Sequence, residues 1–310
     1  MIIVTGASGL LGASLIRHLQ ETGREFVGLY HHFSLRALGV NSFRINLMDH
    51  GQVKDLVTRL RPRWVIHCAA FTNVDWCEEN SAEAYQMNTQ VTRELARWTR
   101  QVGAGLLYVS TDSVFDGIRG DYGEEDQPAP LNVYARSKLA GEKAVQEEGD
   151  HTLTVRTNIY GWNIQEKQSL AEWILERLET GQSFLSFTNV FFTPILVNDL
   201  SEILLGMIDR QLNGLYHVAG SQACSKYEFA LELAELFGLE KDLVQAASLA
   251  DSTLKAPRPR NTSLRSTKVS QALGRPMPDL KTGILRFKAL RGEAKILAIN
   301  PDTLEGGERR

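Results

Sequence analysis

Apolar residues run along this chain in short unbroken stretches, separated by segments with helical spacing. The first stretch, Ile2-Ile3-Val4-Thr5, is β-branched, and after a glycine turn it gives way to Leu15, Ile16 and Leu19, spaced as one face of a helix. Residues 25–30, 43–47, 64–70, 106–109 and 151–156 read as further strands. Helices fall between them, one near residues 53–60 and another after Ser81. Strands that are apolar throughout, instead of alternating, are buried on both faces, which is the habit of parallel sheets covered by helices. The pattern predicts an α/β fold built on a doubly wound parallel sheet, with ligand at the C-terminal strand ends.

The second half carries a thinner version of the same pattern. A helix is predicted over residues 169–180, then the stretch Val190-Phe191-Phe192-Thr193-Pro194, then a helix capped by Asn198 or Asp199. Residues 214–218 read as a strand, and Ser225 with Glu228 three residues on forms a capping box for a helix reaching Phe237. The expected organisation is a core domain over residues 1–160, a smaller α/β substrate domain over 161–290 with some segments returning to the core, and a polar tail over 291–310. That tail has no periodicity and is expected to be loosely ordered.

Composition narrows the field. At 310 residues, 43% hydrophobic and 23% charged, the chain can build one large or two unequal globular domains. A net charge of −3 offers no basic field for nucleic acid. Cys68, Cys77 and Cys224 form neither a disulfide framework nor a zinc spacing, so reduced thiols in a cytoplasmic protein are expected. No apolar span is long enough for a bilayer, and no basic region or cleavage site precedes the first strand, so neither a membrane partner nor a secretory signal is expected. Oligomeric state stays open, a homodimer included.

The glycine turn is the first candidate for chemistry. Strand, Gly6-Ala7-Ser8-Gly9-Leu10-Leu11-Gly12 and helix follow one another as in a dinucleotide site: Gly6 for the tight turn, Gly9 for approach of the backbone to pyrophosphate, Gly12 for close packing. The second strand ends at Tyr30, followed by His31, His32, Ser34 and Arg36, with no carboxylate for a ribose 2′-hydroxyl. Those side chains suit a 2′-phosphate instead, so NADP(H) is favoured and NAD(H) is the alternative. The two histidines have no companion ligands, and no metal site is expected. Asn46 and Leu47 are placed at the adenine edge. Cys68, Ala69 and Ala70, with Thr72 beyond them, permit close approach of a cofactor, and Asn88 is expected to face the same crevice.

The second candidate spans Ser110 to Lys138. A buried strand ends in Ser110-Thr111-Asp112, and Tyr134-Ala135-Arg136-Ser137-Lys138 opens a helix on which Tyr134 and Lys138 share a face. A phenol with a neighbouring ammonium has a lowered pKa and suits proton transfer to a carbonyl oxygen, toward which the Thr111 hydroxyl donates. Further on, Ala256-Pro257-Arg258-Pro259-Arg260 holds two guanidiniums on an extended backbone, an arrangement suited to a diphosphate.

These motifs, together with 68–75 (CAAFTNVD), 110–117 (STDSVFDG) and 134–142 (YARSKLAGE), resemble the extended short-chain dehydrogenase/reductases, and within them the dTDP-4-dehydrorhamnose reductase group. The resemblance runs from Met1 to about Arg275. It implies a Rossmann domain with a small sugar-nucleotide domain, and Thr111, Tyr134 and Lys138 as the catalytic set. It places Ser110, Thr157 and Asn158 beside the cofactor, and Asp112, Ser113, Phe115, Arg258 and Arg260 beside a nucleotide-sugar substrate. The implied reaction is NADPH-dependent reduction of the C4 ketone of a nucleotide-linked 4-keto-6-deoxy sugar. Two departures lie near the sugar: Ser113 where the group carries Tyr, and Asn158-Ile159-Tyr160 where it often carries Trp. They leave hydride transfer implied and the particular sugar open. A dehydratase would carry Asp-Glu after the Thr, and Asp112-Ser113 lacks the Glu. An epimerase and a non-catalytic subunit like the methionine adenosyltransferase β subunit remain as alternatives.

Overall fold

The computed structural model describes residues 1–35, 39–149 and 151–292. Its first half alternates strand and helix: β1 (Ile2–Thr5), α1 (Leu10–Glu21), β2 (Phe26–Tyr30), β3 (Ser42–Arg44), α2 (His50–Leu60), β4 (Trp64–His67), α3 (Val74–Glu79), α4 (Ser81–Tyr85), α5 (Val91–Val102), β5 (Gly105–Val109), α6 (Val133–Glu147) and β6 (Thr152–Arg156). A π-helical turn at Gln86–Gln90 joins α4 to α5. The second half contributes β7 (Ile159–Tyr160), α7 (Leu170–Glu179), β8 (Phe184–Phe187), β9 (Phe191–Phe192), β10 (Ile195–Leu196), α8 (Val197–Asp209), β11 (Gly214–His217), β12 (Cys224–Ser225), α9 (Lys226–Phe237), β13 (Val244–Ala247), α10 (Thr267–Leu273) and α11 (Leu280–Ala289).

Seven strands form one sheet in the order β11-β6-β5-β4-β1-β2-β3, every pair parallel. The order reverses between β1 and β4, and ligands of doubly wound sheets bind in the crevice at that switch point. The apolar strands read from the sequence are buried on both faces, as Ile3, Val4, Ile66, Leu106 and Leu107 show with no exposed surface. One face packs α1 and α8, with Leu11, Leu15 and Ile16 against Leu200, Ile203 and Leu204. The other packs α2, α5 and α6 through Val53, Leu95 and Val145. Residues past 160 return to this sheet, because β11 is its edge strand and α8 completes one covering layer. A second core gathers α7, α9 and α11 around Tyr160, Phe192, Phe229 and Phe287.

Both capping boxes that open helices of the second half are formed, at Ser169/Glu172 and at Ser225/Glu228. The cap expected at Asn198 or Asp199 is not. Strand β10 feeds directly into α8, which begins at Val197 with Leu196 as an unaided N-cap, and the Asp199 carboxylate is taken by Arg286 of α11. The tail expected over 291–310 lies outside the described residues from 293 onward. Among the described residues no helix is long and apolar enough to cross a membrane.

Candidate active site

At the sheet's switch point lies a cavity of about 810 Å³. The glycine turn forms one wall. Gly6 has φ +62°, and a Cβ there would lie 2.8 Å from the Ala69 backbone at the end of β4, so both conformation and packing require glycine. A Cβ on Gly12 would collide with the Gly6 carbonyl. Helix α1 starts at Gly9 with no side-chain cap, so its first N–H groups point into the cavity that Ser8, Leu10 and Leu11 also line. An uncapped helix N-terminus beside a backbone-only turn suits a pyrophosphate.

The rest of the expected cofactor wall is brought together around the same cavity. Tyr30, His31 and His32 line it at the end of β2, Asn46 and Leu47 after β3, and Cys68, Ala69, Ala70 and Thr72 after β4. Among the described residues no carboxylate lines the cavity at the β2 corner, where Tyr30, His31, His32 and Phe33 stand. Ser110, Thr157 and Asn158 line the inner end. The Thr157 hydroxyl is buried with no hydrogen-bond partner among the described residues, a polar atom that a nicotinamide amide could satisfy. With the open cradle at the glycine turn, these residues fit a nicotinamide dinucleotide.

Two expectations for this wall are corrected, and a third falls outside the described residues. Asn88 faces away from the cavity: it accepts the Phe71 N–H at 2.8 Å and donates to the Phe71 carbonyl and to Ser137 Oγ, both at 3.0 Å. Its amide clamps the β4 loop to α6, which uses both of its N–H donors. Ser34 is exposed and does not reach the cavity, and Arg36 lies outside the described residues. Residues unforeseen in the sequence close the cavity from the far side. Gln165 donates to the Ser8 carbonyl at 2.6 Å and Lys167 to Thr72 Oγ1 at 2.9 Å, so the segment after β7 clasps the glycine turn. Only polar composition marks that segment in sequence, and composition does not reveal a clasp.

Thr111, Tyr134 and Lys138 all line this cavity. Helix α6 is held in place by Asn132, whose side chain caps the Ala135 N–H at 2.9 Å and donates to the Pro257 carbonyl at 3.0 Å. Glu78 takes the Val133 N–H at 2.8 Å. Tyr134 and Lys138 then follow on one face, as the spacing requires. Their electrostatics differ from the expected pairing. The Lys138 ammonium donates to the Val109 carbonyl at 2.8 Å and sits 4.1 Å from the centre of the Tyr108 ring. Burial pushes it down to about 7, opposed chiefly by Glu142. Burial pushes the Tyr134 phenol up to about 12, with a Thr111 hydrogen bond pulling the other way and Asp112 adding to the rise. Lys138 is not among the groups lowering Tyr134, because its ammonium is turned to Val109 and Tyr108. A phenol that keeps its proton in a dry pocket is a proton donor.

Asp112 is the hub behind this set, only 2% exposed. It accepts from Asn158 Nδ2 at 2.8 Å, Thr262 Oγ1 at 2.6 Å and the Thr111 and Ser113 hydroxyls at 3.2 and 3.3 Å. Ser113 also lines the cavity. Phe115 does not: it is wholly buried, stacked on Tyr122 at 4.1 Å with the Arg156 guanidinium on its ring, and is corrected from substrate contact to core. Arg258 and Arg260 line a second cavity of about 570 Å³ with Asp116, Asn189, Phe191 and Asn261. Arg258 is engaged with Asp75 at 3.0 Å, whereas Arg260 is exposed and has no carboxylate within ion-pair distance among the described residues.

The model of the RmlD substrate binding domain family matches residues 1–290, nearly the whole described chain. The chain belongs to this family. Its relatives include a probable reductase and a subunit of a methionine adenosyltransferase. A probable low-salt glycan biosynthesis reductase, Agl14 of Haloferax volcanii, is 32% identical over 290 residues, covering 92% of this chain and 96% of the relative. Methionine adenosyltransferase 2 subunit beta of Pongo abelii is also 32% identical, over 288 residues, 86% of this chain and 81% of that protein. Among solved structures, the dTDP-4-dehydrorhamnose reductase of Bacillus anthracis in complex with NADP superposes with a TM-score of 0.83 at 30% identity, covering 93% of this chain and 98% of that one. A hypothetical dTDP-4-dehydrorhamnose reductase from Sulfolobus tokodaii gives 0.81 at 30%, covering 91% and 98%. By fold, motif and family this RmlD-family chain is an extended short-chain dehydrogenase/reductase with a Rossmann sheet.

Proposed function

We propose that the protein reduces the C4 ketone of a nucleotide-linked 4-keto-6-deoxy sugar, with NADPH preferred over NADH. The observation that carries this reading is the placing of Thr111, Tyr134 and Lys138 in the same cavity as the open glycine turn. NADPH supplies the hydride, delivered to the carbonyl carbon. Thr111 donates a hydrogen bond to the ketone oxygen and orients it. Tyr134, which holds its proton, passes it to that oxygen as negative charge develops, so ketone becomes alcohol. Lys138, whose ammonium is anchored on the Val109 carbonyl at the floor of the site, would hold the nicotinamide ribose. The absence of a carboxylate at the β2 corner supports NADPH, as does the NADP held by the Bacillus anthracis reductase. The second cavity, with the free guanidinium of Arg260, is the place for the nucleotide diphosphate.

Loss of nicotinamide absorbance, with NADPH and then NADH, against a panel of nucleotide 4-keto-6-deoxy sugars tests the reaction. Tyr134→Phe should lower kcat/KM by about 100-fold or more while NADPH affinity by titration is kept. Turnover unchanged in that variant overturns the role of Tyr134. The similarity to methionine adenosyltransferase 2 subunit beta supports a second reading, a non-catalytic NADP-binding regulatory subunit. Silence of the wild type across the panel, with NADPH binding intact, favours it. NAD retained through purification, with interconversion of C4 epimers, would favour an epimerase.

A further inference from the structure

Lys226 is the first residue of α9, directly after its capping serine, and that is a poor place for a cation. The helix dipole is positive there, so neither capping nor helix electrostatics accounts for the charge. The ammonium lies against an aromatic face. It sits 3.2 Å from the centre of the ring of Phe192, which is 2% exposed. Among the described residues no carbonyl or carboxylate lies within hydrogen-bond distance of it. Burial pushes the amine down to about 8, and the charge that most opposes this is Asp112, followed by Cys224. The aromatic face compensates part of the desolvation, and among the described residues no protein group accepts from the three N–H donors.

Its position explains what the acceptor would be. Asp112 lines the cofactor cavity, and Phe191 lines the second cavity. Thr262 joins the two walls, donating its hydroxyl to Asp112 at 2.6 Å and its N–H to the Phe191 carbonyl at 3.0 Å. Lys226 is fixed to the same partition through its own N–H on the Val190 carbonyl at 2.9 Å and its ammonium on Phe192. A nucleotide sugar with its ketone at Tyr134 and its diphosphate at Arg260 crosses this partition with the sugar. We propose that Lys226 is a substrate-binding residue whose ammonium donates to a sugar hydroxyl oxygen as the sugar passes between the cavities. This rests on the placing of a nucleotide sugar across both cavities argued above.

The test compares wild type with Lys226→Met and Lys226→Arg by calorimetric titration of the NADP-loaded protein. The probes are dTDP-glucose and UDP-glucose, with dTDP and UDP as sugar-free controls. The expected result is at least about tenfold weaker binding of the preferred sugar nucleotide to Lys226→Met, partial recovery in Lys226→Arg, and unchanged affinity for the sugar-free nucleotide and for NADPH. In turnover the loss should fall on KM with kcat nearly kept. Equal binding of the sugar nucleotide by wild type and Lys226→Met overturns the proposal, as does a wild type that gains nothing from the sugar over the bare nucleotide. Failure of the reductase reading is distinct: it shows as absent NADPH oxidation, and the binding comparison still decides Lys226.

Discussion

Lys138 bears the heaviest electrostatic cost in the site. Its pKa in the fold, about 7, lies far below the 10.5 of a free lysine, because burial disfavours the ammonium more than Glu142 favours it. Below about pH 7 both folded and unfolded chains carry the charge, and the folded state bears the full penalty. Between there and the unfolded value the folded amine is neutral while the unfolded one still holds a proton, so the penalty fades as pH rises. Lys138→Met removes the titration. It should abolish turnover, and its unfolding temperature relative to wild type should be most favourable near about pH 6 and decline toward about pH 9. Thermal melts across that range check the sign; a relative stability that rises with pH contradicts it. The pair itself was legible in sequence because four residues along a helix are neighbours whatever else the chain does. The direction of the Lys138 ammonium was not, because Val109 and Tyr108 come from another strand. Asn88 and Phe115 were misplaced for the same reason: their partners Phe71, Ser137 and Tyr122 are set by tertiary packing that single-residue chemistry does not encode.

One helical turn beyond Lys138, α6 carries Glu142, and this carboxylate ties three elements beneath the site. Arg156 of β6 reaches it with Nε at 3.0 and 3.2 Å and with Nη2 at 2.7 Å, both side chains under a tenth exposed. Ser110 at the end of β5 donates to it at 2.5 Å. Behind Arg156 stands His217 of β11, at 3.4 Å, kept neutral because burial and the guanidinium push its pKa down to about 3. The ion pair thus fixes α6, and with it Tyr134, against the sheet. Taking one partner from a buried pair leaves the other charge uncompensated, so Glu142→Ala should cost about 3–5 kcal/mol. Glu142→Ala combined with Arg156→Met should recover much of that loss, since the stranded guanidinium is gone. Urea unfolding of the two single variants and the double variant measures the coupling, and strictly additive losses would refute it. Elements of this kind were readable where local chemistry is self-sufficient, as in the capping box at Ser225 and Glu228. The start of α8 was not, because Asn198 and Asp199 have the residue types of caps while β10 and Arg286 decide where the helix begins.

At the scale of the whole molecule, the alternating pattern revealed the sheet and left the route of the chain through it largely hidden. The pattern favours a core over 1–160 to which some later segments return, without saying which, and it is β11 and α8 that pack there. Strand β11 pairs with β6 from Gly214 to His217, and it is His217 that stands behind the Arg156–Glu142 pair. Packed against α1 on one face of the sheet, the residues Leu200, Ile203, Leu204, Met207 and Ile208 of α8 are nearly free of solvent. Each such side chain contributes roughly 1.5–3 kcal/mol when buried, so losing five of them is comparable with the whole net stability of a typical domain. A fragment ending at residue 160 would expose the apolar face of α1 and leave β6 as a raw sheet edge. Expressed alone, residues 1–160 should show no cooperative unfolding transition and should not retain NADPH. A fragment that melts cooperatively and binds NADPH as the full chain does would show that the sheet closes without its returning segments.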